Sequence, residues 1–268
     1  TEIYTLSLHD ALPIYLAALP LEWLSLRGCH RLTDATGAAL ARMDRLRFVD
    51  LGDLPRTSAA LFERLPRDLA GLGLFGNRHY DRAGLAQLAA LPRLAALDLG
   101  GMPQVDDATL AAILAGKHLF ELSLGGEPRM GGEPADAHRP SLSPAIAGLL
   151  ADQRQLLVLD ASYATWFDTD VAAAVASLPD LRRVDLRAAR VLPGALAALG
   201  RSRSLREISL ARASGLTAEE LQGLATAALE DVDLYGTPIT ADDVRPITQD
   251  WSAICRVRLG SGAWLGPR

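Results

Sequence analysis

The chain has few of the residues that mark secreted proteins. Its 268 residues include two cysteines, Cys29 and Cys255, which fall in the first and last strand-like phrases and are not expected to pair. The single asparagine, Asn77, is followed by Arg78-His79 and is therefore not a glycosylation site. No cysteine-rich cap is visible. These scarcities favour a reducing compartment.

Charge and hydropathy exclude two further classes. No uninterrupted apolar run of about 18 residues is present, which argues against a membrane span. The formal net charge of −5 argues against a nucleic-acid ligand, because nucleic-acid binders usually carry a basic excess. We therefore expect a cytoplasmic protein, or a secreted effector, with no nucleic-acid or membrane partner.

Patterns for catalysis and metal binding are also lacking. Five histidines (His9, His30, His79, His118 and His138) are scattered without metal-ligand spacing. No glycine-rich loop is followed by Lys-Ser or Lys-Thr. The sequence thus predicts neither an enzyme nor a bound cofactor or metal.

What the chain has in abundance is one repeated phrase, Leu-x-x-Leu-x-Leu with apolar variants. It recurs every 23 to 25 residues, with one longer gap, and begins at Leu21, Leu46, Leu69, Leu94, Leu119, Leu156, Leu181, Leu205, Leu229 and Ile254. A period of about 20–29 residues with this wording is typical of leucine-rich repeats, which stack one strand and one helix per repeat. The predicted fold class is therefore α/β, a leucine-rich-repeat solenoid (horseshoe) of about ten repeats with a concave parallel sheet and convex helices.

The first complete repeat shows how the phrase is expected to fold. Leu24 and Leu26 should face the core, and the alternate residues should line the concave face, because side chains alternate along a strand. Thr33 and Asp34 are candidate helix caps. Asp81, Asp106, Asp168, Thr217 and Thr240 stand where later helices should begin, and Thr217-Ala-Glu-Glu has the form of a capping box.

The first repeat, with Cys29 and then Leu32-Thr33-Asp34, resembles the cysteine-containing leucine-rich repeats of F-box proteins. The phrase Gly194-Ala195-Leu196-Ala197 is similar to bacterial GALA-type repeats. The resemblance departs at the cysteine position, which becomes Leu54, Asn77, Met102, Glu127, Ala164, Ala189, Ala213 and Thr237 in later repeats. It implies, as an alternative function, the substrate-recognition part of an F-box-type ubiquitin ligase or a bacterial effector. Enrichment in Ala, Leu, Arg and Gly also suggests a bacterial source.

Three segments are predicted along the chain. Residues 1–14 resemble a translated sequencing adapter, although a natural N-terminal cap is the alternative. Residues 15–268 form the leucine-rich-repeat domain. Residues of about 125–140 form an insertion rich in Gly and Pro, which either shapes a binding face or is a tolerated surface loop.

Candidate partner-binding residues are those at the predicted concave positions. Aromatic and arginine side chains on such a surface are typical anchors of protein interfaces. The set comprises Trp23, Arg27, Phe48, Phe75, Asp98, Tyr163, Arg183, Arg187, Tyr235, Arg256 and Arg258. Some of these could instead shield the ends of the sheet.

A stripe of serines and aspartates, which includes Asp98, also runs along the third strand position. It could bind a basic partner, but Leu-Asp-Leu and Leu-Ser-Leu are also ordinary wording for such strands. The predicted function is a non-enzymatic scaffold that binds a protein partner on its concave face and is itself monomeric.

Overall fold

A computed structural model describes residues 19–126, 138–225, 227–247 and 256–265. The expectation for residues 1–14, and the structure around Cys255, lie outside these ranges. The described chain divides into two units, one of residues 19–119 and 138–141, the other of residues 120–126, 142–225, 227–247 and 256–265. The prediction of a single domain over 15–268 stays a prediction.

Every one of the ten repeated phrases forms a short strand. The first unit contains β1 Trp23–Ser25, β2 Phe48–Asp50, β3 Gly71–Gly73 and β4 Ala96–Asp98. The second contains β5 Glu121–Ser123, β6 Val158–Asp160, β7 Arg183–Asp185, β8 Glu207–Ser209, β9 Asp231–Asp233 and β10 Arg256–Arg258. A further strand, β11 Trp264–Leu265, pairs antiparallel with β10 and was not predicted.

Strand register follows the period-two alternation of the sequence. In the first unit β1 to β4 pair in parallel, and in the second unit β5 to β10 do so, each time with the second residue of one strand beside that of the next. Leu24 and Leu97 at these positions are no more than 2% exposed, and so is Leu210 just after β8. A shift of one residue would turn these side chains toward water, so the apolar row fixes the register. The predicted mixed α/β repeat fold is confirmed.

The helices are short and, within each unit, contribute buried side chains to the core. They are α1 Thr36–Leu40, α2 Arg82–Ala86, α3 Asp107–Leu114, α4 Ala147–Ala151, α5 Thr169–Ala176, α6 Ala195–Leu199, α7 Ala218–Gln222 and α8 Ala241–Val244. Segments of 3-10 helix cover Ala59–Arg64, Gln87–Ala90 and Pro144–Ile146. Leu40 and Met43 are buried as predicted, and Phe167 also lies in the core.

Most predicted helix starts are real N-caps. Asp81, Asp106, Asp168, Thr217 and Thr240 each accept a hydrogen bond from a backbone N–H of the first helical turn. The expectation for the first helix was wrong, because α1 begins after Ala35 without a side-chain cap. Asp34 instead accepts two hydrogen bonds of 2.6 Å from the N–H and hydroxyl of Ser58 in the next repeat.

The predicted capping box at Thr217 is only half formed. Thr217 Oγ1 accepts from the Glu220 N–H, but the Glu220 carboxylate accepts from the Gly194 N–H, one repeat earlier. Side chains that could serve their own helix are thus used to join neighbouring repeats.

A left-handed residue follows almost every strand. The residue four positions after the buried strand residue has positive φ in eight repeats, at Gly28, Asp53, Gly76, Gly101, Tyr163, Ala188, Arg212 and Gly236. This conformation is free for glycine and costs about 1–2 kcal/mol for residues with a Cβ. The four non-glycine residues therefore hold strain that the surrounding repeats must offset.

We expect the substitution Ala188→Gly to raise the free energy of unfolding by about 0.5–1 kcal/mol, because it removes the left-handed penalty at φ 54°. The neighbouring Ala189→Gly is the matched control. Ala189 is 1% exposed and has no positive φ, so its substitution should lower stability by about 1 kcal/mol. Urea unfolding of both variants checks the prediction, which fails if Ala188→Gly destabilises as much as Ala189→Gly.

The one asparagine joins two repeats. Asn77 is 1% exposed, its Nδ2 donates to the Leu51 carbonyl, and its Oδ1 accepts from the Leu54 N–H, both at 2.8 Å. It stands at the cysteine position of its repeat and supplies partners to backbone groups that would otherwise be buried without them. In the other described repeats this position is filled by apolar residues, by Cys29 or by Thr237.

Replacing Asn77 by alanine should lower the free energy of unfolding by about 2–3 kcal/mol, since a buried N–H and carbonyl lose their partners. Gln104→Ala is the control, because Gln104 Nε2 donates to the Asn77 carbonyl from a half-buried position. Its loss should cost less than about 1 kcal/mol. Equal effects in thermal or urea unfolding would contradict this role for Asn77.

Candidate functional site

One side of each strand faces the core and the other faces away from it. We define the open face as the first and third residues of β1 to β10 together with the residue two positions after each strand. Ten of the eleven predicted partner-binding residues lie on this face, in one unit or the other, because they occupy the alternate positions of the strand phrase. The exception is Tyr163.

Tyr163 lies one residue beyond the open face. Ser162, which is buried, occupies the position two residues after β6, and Tyr163 follows it with φ 60°. The Tyr163 N–H donates to the Arg187 carbonyl at 2.7 Å, which fixes this loop to the next repeat. The side chain of Tyr163 is half-buried and belongs to the rim at the carboxyl ends of the strands.

The open face of the first unit is aromatic. Trp23, Phe48 and Phe75 are half-buried, and the guanidinium of Arg27 lies 4.3 Å above the centre of the Phe75 ring. Arg27 Nε is also 3.6 Å from a carboxylate oxygen of Asp53. The Phe48 ring lies over Gly71 of the next strand, where a Cβ would collide with it. Absence of a side chain at Gly71 therefore lets Phe48 lie flat on the sheet.

Aspartates at the third strand position close the turn after their strand. In each, Oδ1 accepts from the backbone N–H two residues later at 2.8–3.0 Å, in the pairs Asp50–Gly52, Asp98–Gly100, Asp160–Ser162, Asp185–Arg187 and Asp233–Tyr235. This bond ends the strand in the manner of an Asx turn. In Asp98 and the other four aspartates, Oδ1 is thus engaged in a backbone hydrogen bond.

In the second unit the predicted arginines are held by carboxylates. Arg187 Nη2 lies 3.2 Å from Asp185 Oδ2, and Arg183 Nε lies 3.9 Å from Glu207 Oε2. On the far side Arg256 Nη2 is 2.6 Å from Asp231 Oδ2, and Arg258 Nη1 is 3.6 Å from Asp233 Oδ2. The arginine side chains of these pairs are 35–65% exposed, so solvent screens the pairs and they add little to stability, although they keep the guanidinium groups beside their carboxylates.

Tyr235 sits within this charged region. The guanidinium of Arg258 lies 4.3 Å from the centre of its ring and that of Arg212 lies 5.6 Å from it. Cation–π contacts of this kind orient an aromatic side chain without removing it from solvent. The structure therefore places Arg183, Arg187, Tyr235, Arg256 and Arg258 on, or two residues after, the strands β7, β9 and β10.

A recess of about 340 Å³ opens on β7, β8 and β9. It is lined by Arg183, Asp185, Arg187, Glu207, Ile208, Ser209, Asp231 and Asp233. The recess exists because β8 places the short Ser209 between the longer Asp185 and Asp233 of its neighbours.

Glu207 and Asp231 border this recess and were not among the residues predicted from the sequence. They stand at the same strand position as Arg183 and Arg256. Comparison of that position across successive repeats could have found them.

One aspartate of the stripe, Asp185, has a shifted pKa. Burial raises the pKa of Asp185, and the nearby charge of Asp160 raises it further. The Arg187 N–H bond and the guanidinium groups of Arg187 and Arg183 oppose this rise. Ionised Asp185 is therefore less stable in the folded chain than in water.

This pKa shift gives a pH-dependent prediction. A raised folded-state pKa contributes stability that is fully present below the unfolded pKa of 3.8 and is lost as the pH rises through the folded value. The variant Asp185→Asn keeps an oxygen that accepts from the Arg187 N–H but cannot ionise. It should therefore not show this loss of unfolding free energy as the pH rises. Unfolding measured from about pH 4 to 7 checks it. The control Asp50→Asn keeps the same bond in its own turn, and its free energy of unfolding should decrease with rising pH as it does in the parent chain.

The insertion is partly described. Gly125 and Gly126 follow β5 and are buried, with the Gly126 N–H donating to the Ser162 carbonyl at 3.1 Å. Ser141 forms a parallel bridge with Asp106 and donates its hydroxyl to the Pro103 carbonyl at 2.7 Å. The remainder of the predicted insertion, residues 127–137, lies outside the described ranges.

The described ranges lack the features of a metal site and of a membrane-spanning helix. Among those residues, no group of three or more His, Cys, Asp or Glu side chains is placed to hold a metal ion. No helix in the same part of the chain has the length and apolar character needed to cross a membrane.

Comparison with known proteins gives a likeness in structure. No protein-family model matches the chain, and no curated protein matches it in sequence. The structure of the Rad7 and Elc1 complex in yeast has a TM-score of 0.55 at 16% identity over 91% of this chain and 71% of that one.

Two further structures are similar. The Toll–Spatzle complex from Drosophila has a TM-score of 0.55 at 18% identity over 92% of this chain and 31% of that one. The structure of internalin C2 from Listeria monocytogenes has a TM-score of 0.46 at 19% identity, over 78% of this chain and 80% of that one. At these identities a likeness shows the fold alone. This chain has the leucine-rich-repeat fold, a mixed α/β arrangement of stacked strand–helix units.

Proposed function

We propose that the chain is a non-enzymatic scaffold that binds a protein partner on the open face of its sheet. The observation that carries this proposal is that predicted anchor side chains are exposed and at the same time held in ion pairs. Arg187 is 48% exposed and Arg258 is 35% exposed as side chains, yet each is held by an aspartate. Anchors that are both exposed and preorganised lose little conformational freedom on binding.

The fold supports the same function. Surfaces of stacked repeats commonly serve as extended binding faces. Two of the similar structures were solved as complexes, Rad7 with Elc1 and Toll with Spatzle. The finer alternatives implied by the sequence, an F-box-type substrate receptor or a bacterial effector, are readings of this same binding role.

Site-specific photo-crosslinking tests the proposal. A benzophenone amino acid in place of Val158, a half-buried residue of the open face beside Arg183, should give a discrete adduct with a partner in extracts of the source organism. The same group in place of Ala197, which is exposed on α6, is the control. We expect the adduct only from position 158, and expect Tyr235→Ala to reduce it by about tenfold, as for an aromatic anchor.

Two results would contradict this function. Adducts of equal yield from positions 158 and 197 would mean that the open face is not preferred. Absence of any adduct from position 158 would remove the second-unit face as a partner site.

A further inference from the structure

The chain contains a single lysine. Of its 27 lysine and arginine residues, all but Lys117 are arginines. Lys117 lies between Gly116 and His118, which are both exposed, yet it is itself only 5% exposed. Lysine is almost never buried to this degree unless its ammonium group is paired. Any reagent or enzyme that acts on lysine side chains therefore has one amine to use in these 268 residues, and the fold buries it.

Two backbone carbonyls hold the ammonium group. Lys117 Nζ donates to the Ala89 carbonyl at 3.0 Å and to the Leu91 carbonyl at 2.8 Å. These carbonyls lie at the end of the 3-10 segment Gln87–Ala90, in the preceding repeat of the same unit. Carbonyl groups at the end of a helix lack intrahelical donors and carry partial negative charge, so a cation is stabilised there. The lysine side chain therefore joins its own repeat to the one before it.

The backbone around Lys117 is a short connection between two packed elements. The helix α3 ends at Leu114, whose carbonyl accepts from the Lys117 N–H at 2.9 Å, and Gly116 has φ 69°. Leu119, two residues after the lysine, is fully buried. The ammonium group can reach solvent only if the segment from Leu114 to Leu119 moves away from the preceding repeat, which breaks both of its bonds. Local opening of such segments is a general property of folded chains.

Burial, and not protonation, protects this amine. Desolvation lowers the pKa of Lys117. A lowered pKa raises the fraction of neutral amine at a given pH, and the neutral amine is the nucleophilic form. Protonation thus protects Lys117 less than it protects an ordinary exposed lysine. What keeps a reagent from the nitrogen is the packing of the repeats around it.

We propose that Lys117 is a conditional modification site, which accepts an acyl group only when this segment opens. In the opened state the neutral ε-amine attacks the carbonyl carbon of an activated ester or thioester. An amide bond forms between that carbon and Nζ, the bond to the oxygen or sulfur leaving group breaks and its electron pair leaves with that atom, and the proton of the amine passes to solvent. The amide product is neutral and has one N–H.

Modification at this position then holds the segment open. A single neutral N–H cannot replace the ammonium group at both the Ala89 and Leu91 carbonyls, and the added acyl group needs space that the packed repeats do not have. Because the sequence has no other lysine, acyl transfer to a lysine side chain marks only chains that have opened here. This inference is independent of the open face and of the function proposed for it.

Acetylation of the full chain by N-hydroxysuccinimidyl acetate tests the inference. Mass spectrometry of peptides gives the rate at Lys117 separately from that at the α-amine of the first residue, in buffer and in urea. Arg201→Lys supplies an exposed reference amine on the same protein. We expect Lys117 to react at least about 100-fold more slowly than this reference in the folded chain, and at a similar rate in urea. Similar rates in the folded chain, or slow reaction of Lys117 that persists in urea, would overturn the proposal.

Two leucine variants test whether the opening is local. Leu114→Ala removes a buried side chain from the last residue of α3, and Leu199→Ala does the same at the last residue of α6 in the second unit. Both should destabilise their own repeat. We expect Leu114→Ala to accelerate acetylation of Lys117 at least about tenfold and Leu199→Ala to change it less than about twofold. Equal acceleration in both variants, or none with Leu114→Ala, would contradict local opening.

The effect of the modification itself is measured by amide hydrogen exchange. Parent chain acetylated in urea and then refolded should exchange the Lys117 amide at least about tenfold faster than the control. The control is parent chain treated with the same reagent while folded, which acetylates the α-amine alone, and then carried through the same urea step. Equal exchange rates in the two samples would show that acylation of Lys117 does not hold the segment open.

Discussion

The apolar row through the second residue of every strand is the constraint on which the rest depends. Leu24, Val49, Leu72 and Leu97 form this row in the first unit, and Leu122, Leu159, Val184, Ile208, Val232 and Val257 form it in the second. All are nearly or fully buried. Because side chains alternate along a strand, burial of this row forces the residues on either side of it onto the open face.

Polar side chains then join the repeats at the turns. Asn77 bonds backbone groups of the preceding repeat, Asp34 bonds Ser58 of the following one, and Glu220 bonds the Gly194 N–H. Each bond supplies a partner to a backbone group of a neighbouring repeat. The aspartates of the open face do similar work at the strand ends, so part of the charge of this face is used by the fold itself.

Elements could be predicted from the sequence where one repeat determines its own structure. The ten strands and the caps at Asp81, Asp106, Asp168, Thr217 and Thr240 depend on local alternation and local hydrogen bonds, and these were found. The first helix start, the half-formed capping box and β11 could not be predicted, because each depends on a neighbouring segment. The recess could not be predicted for the same reason, since Glu207 and Asp231 become neighbours only when β8 pairs with β9.

The sequence by itself determined the repeat period, the buried row and, except for Tyr163, which of the predicted residues lie on the open face, because these follow from the alternation of side chains within one strand. Only the tertiary structure decided which of those residues meet. Arg187 pairs within its own strand region, Arg256 and Arg258 pair across to β9, and Ser209 is left between carboxylates. The reason is that pairing across strands depends on register and side-chain length over about 5 Å, which the spacing of repeats along the chain does not encode.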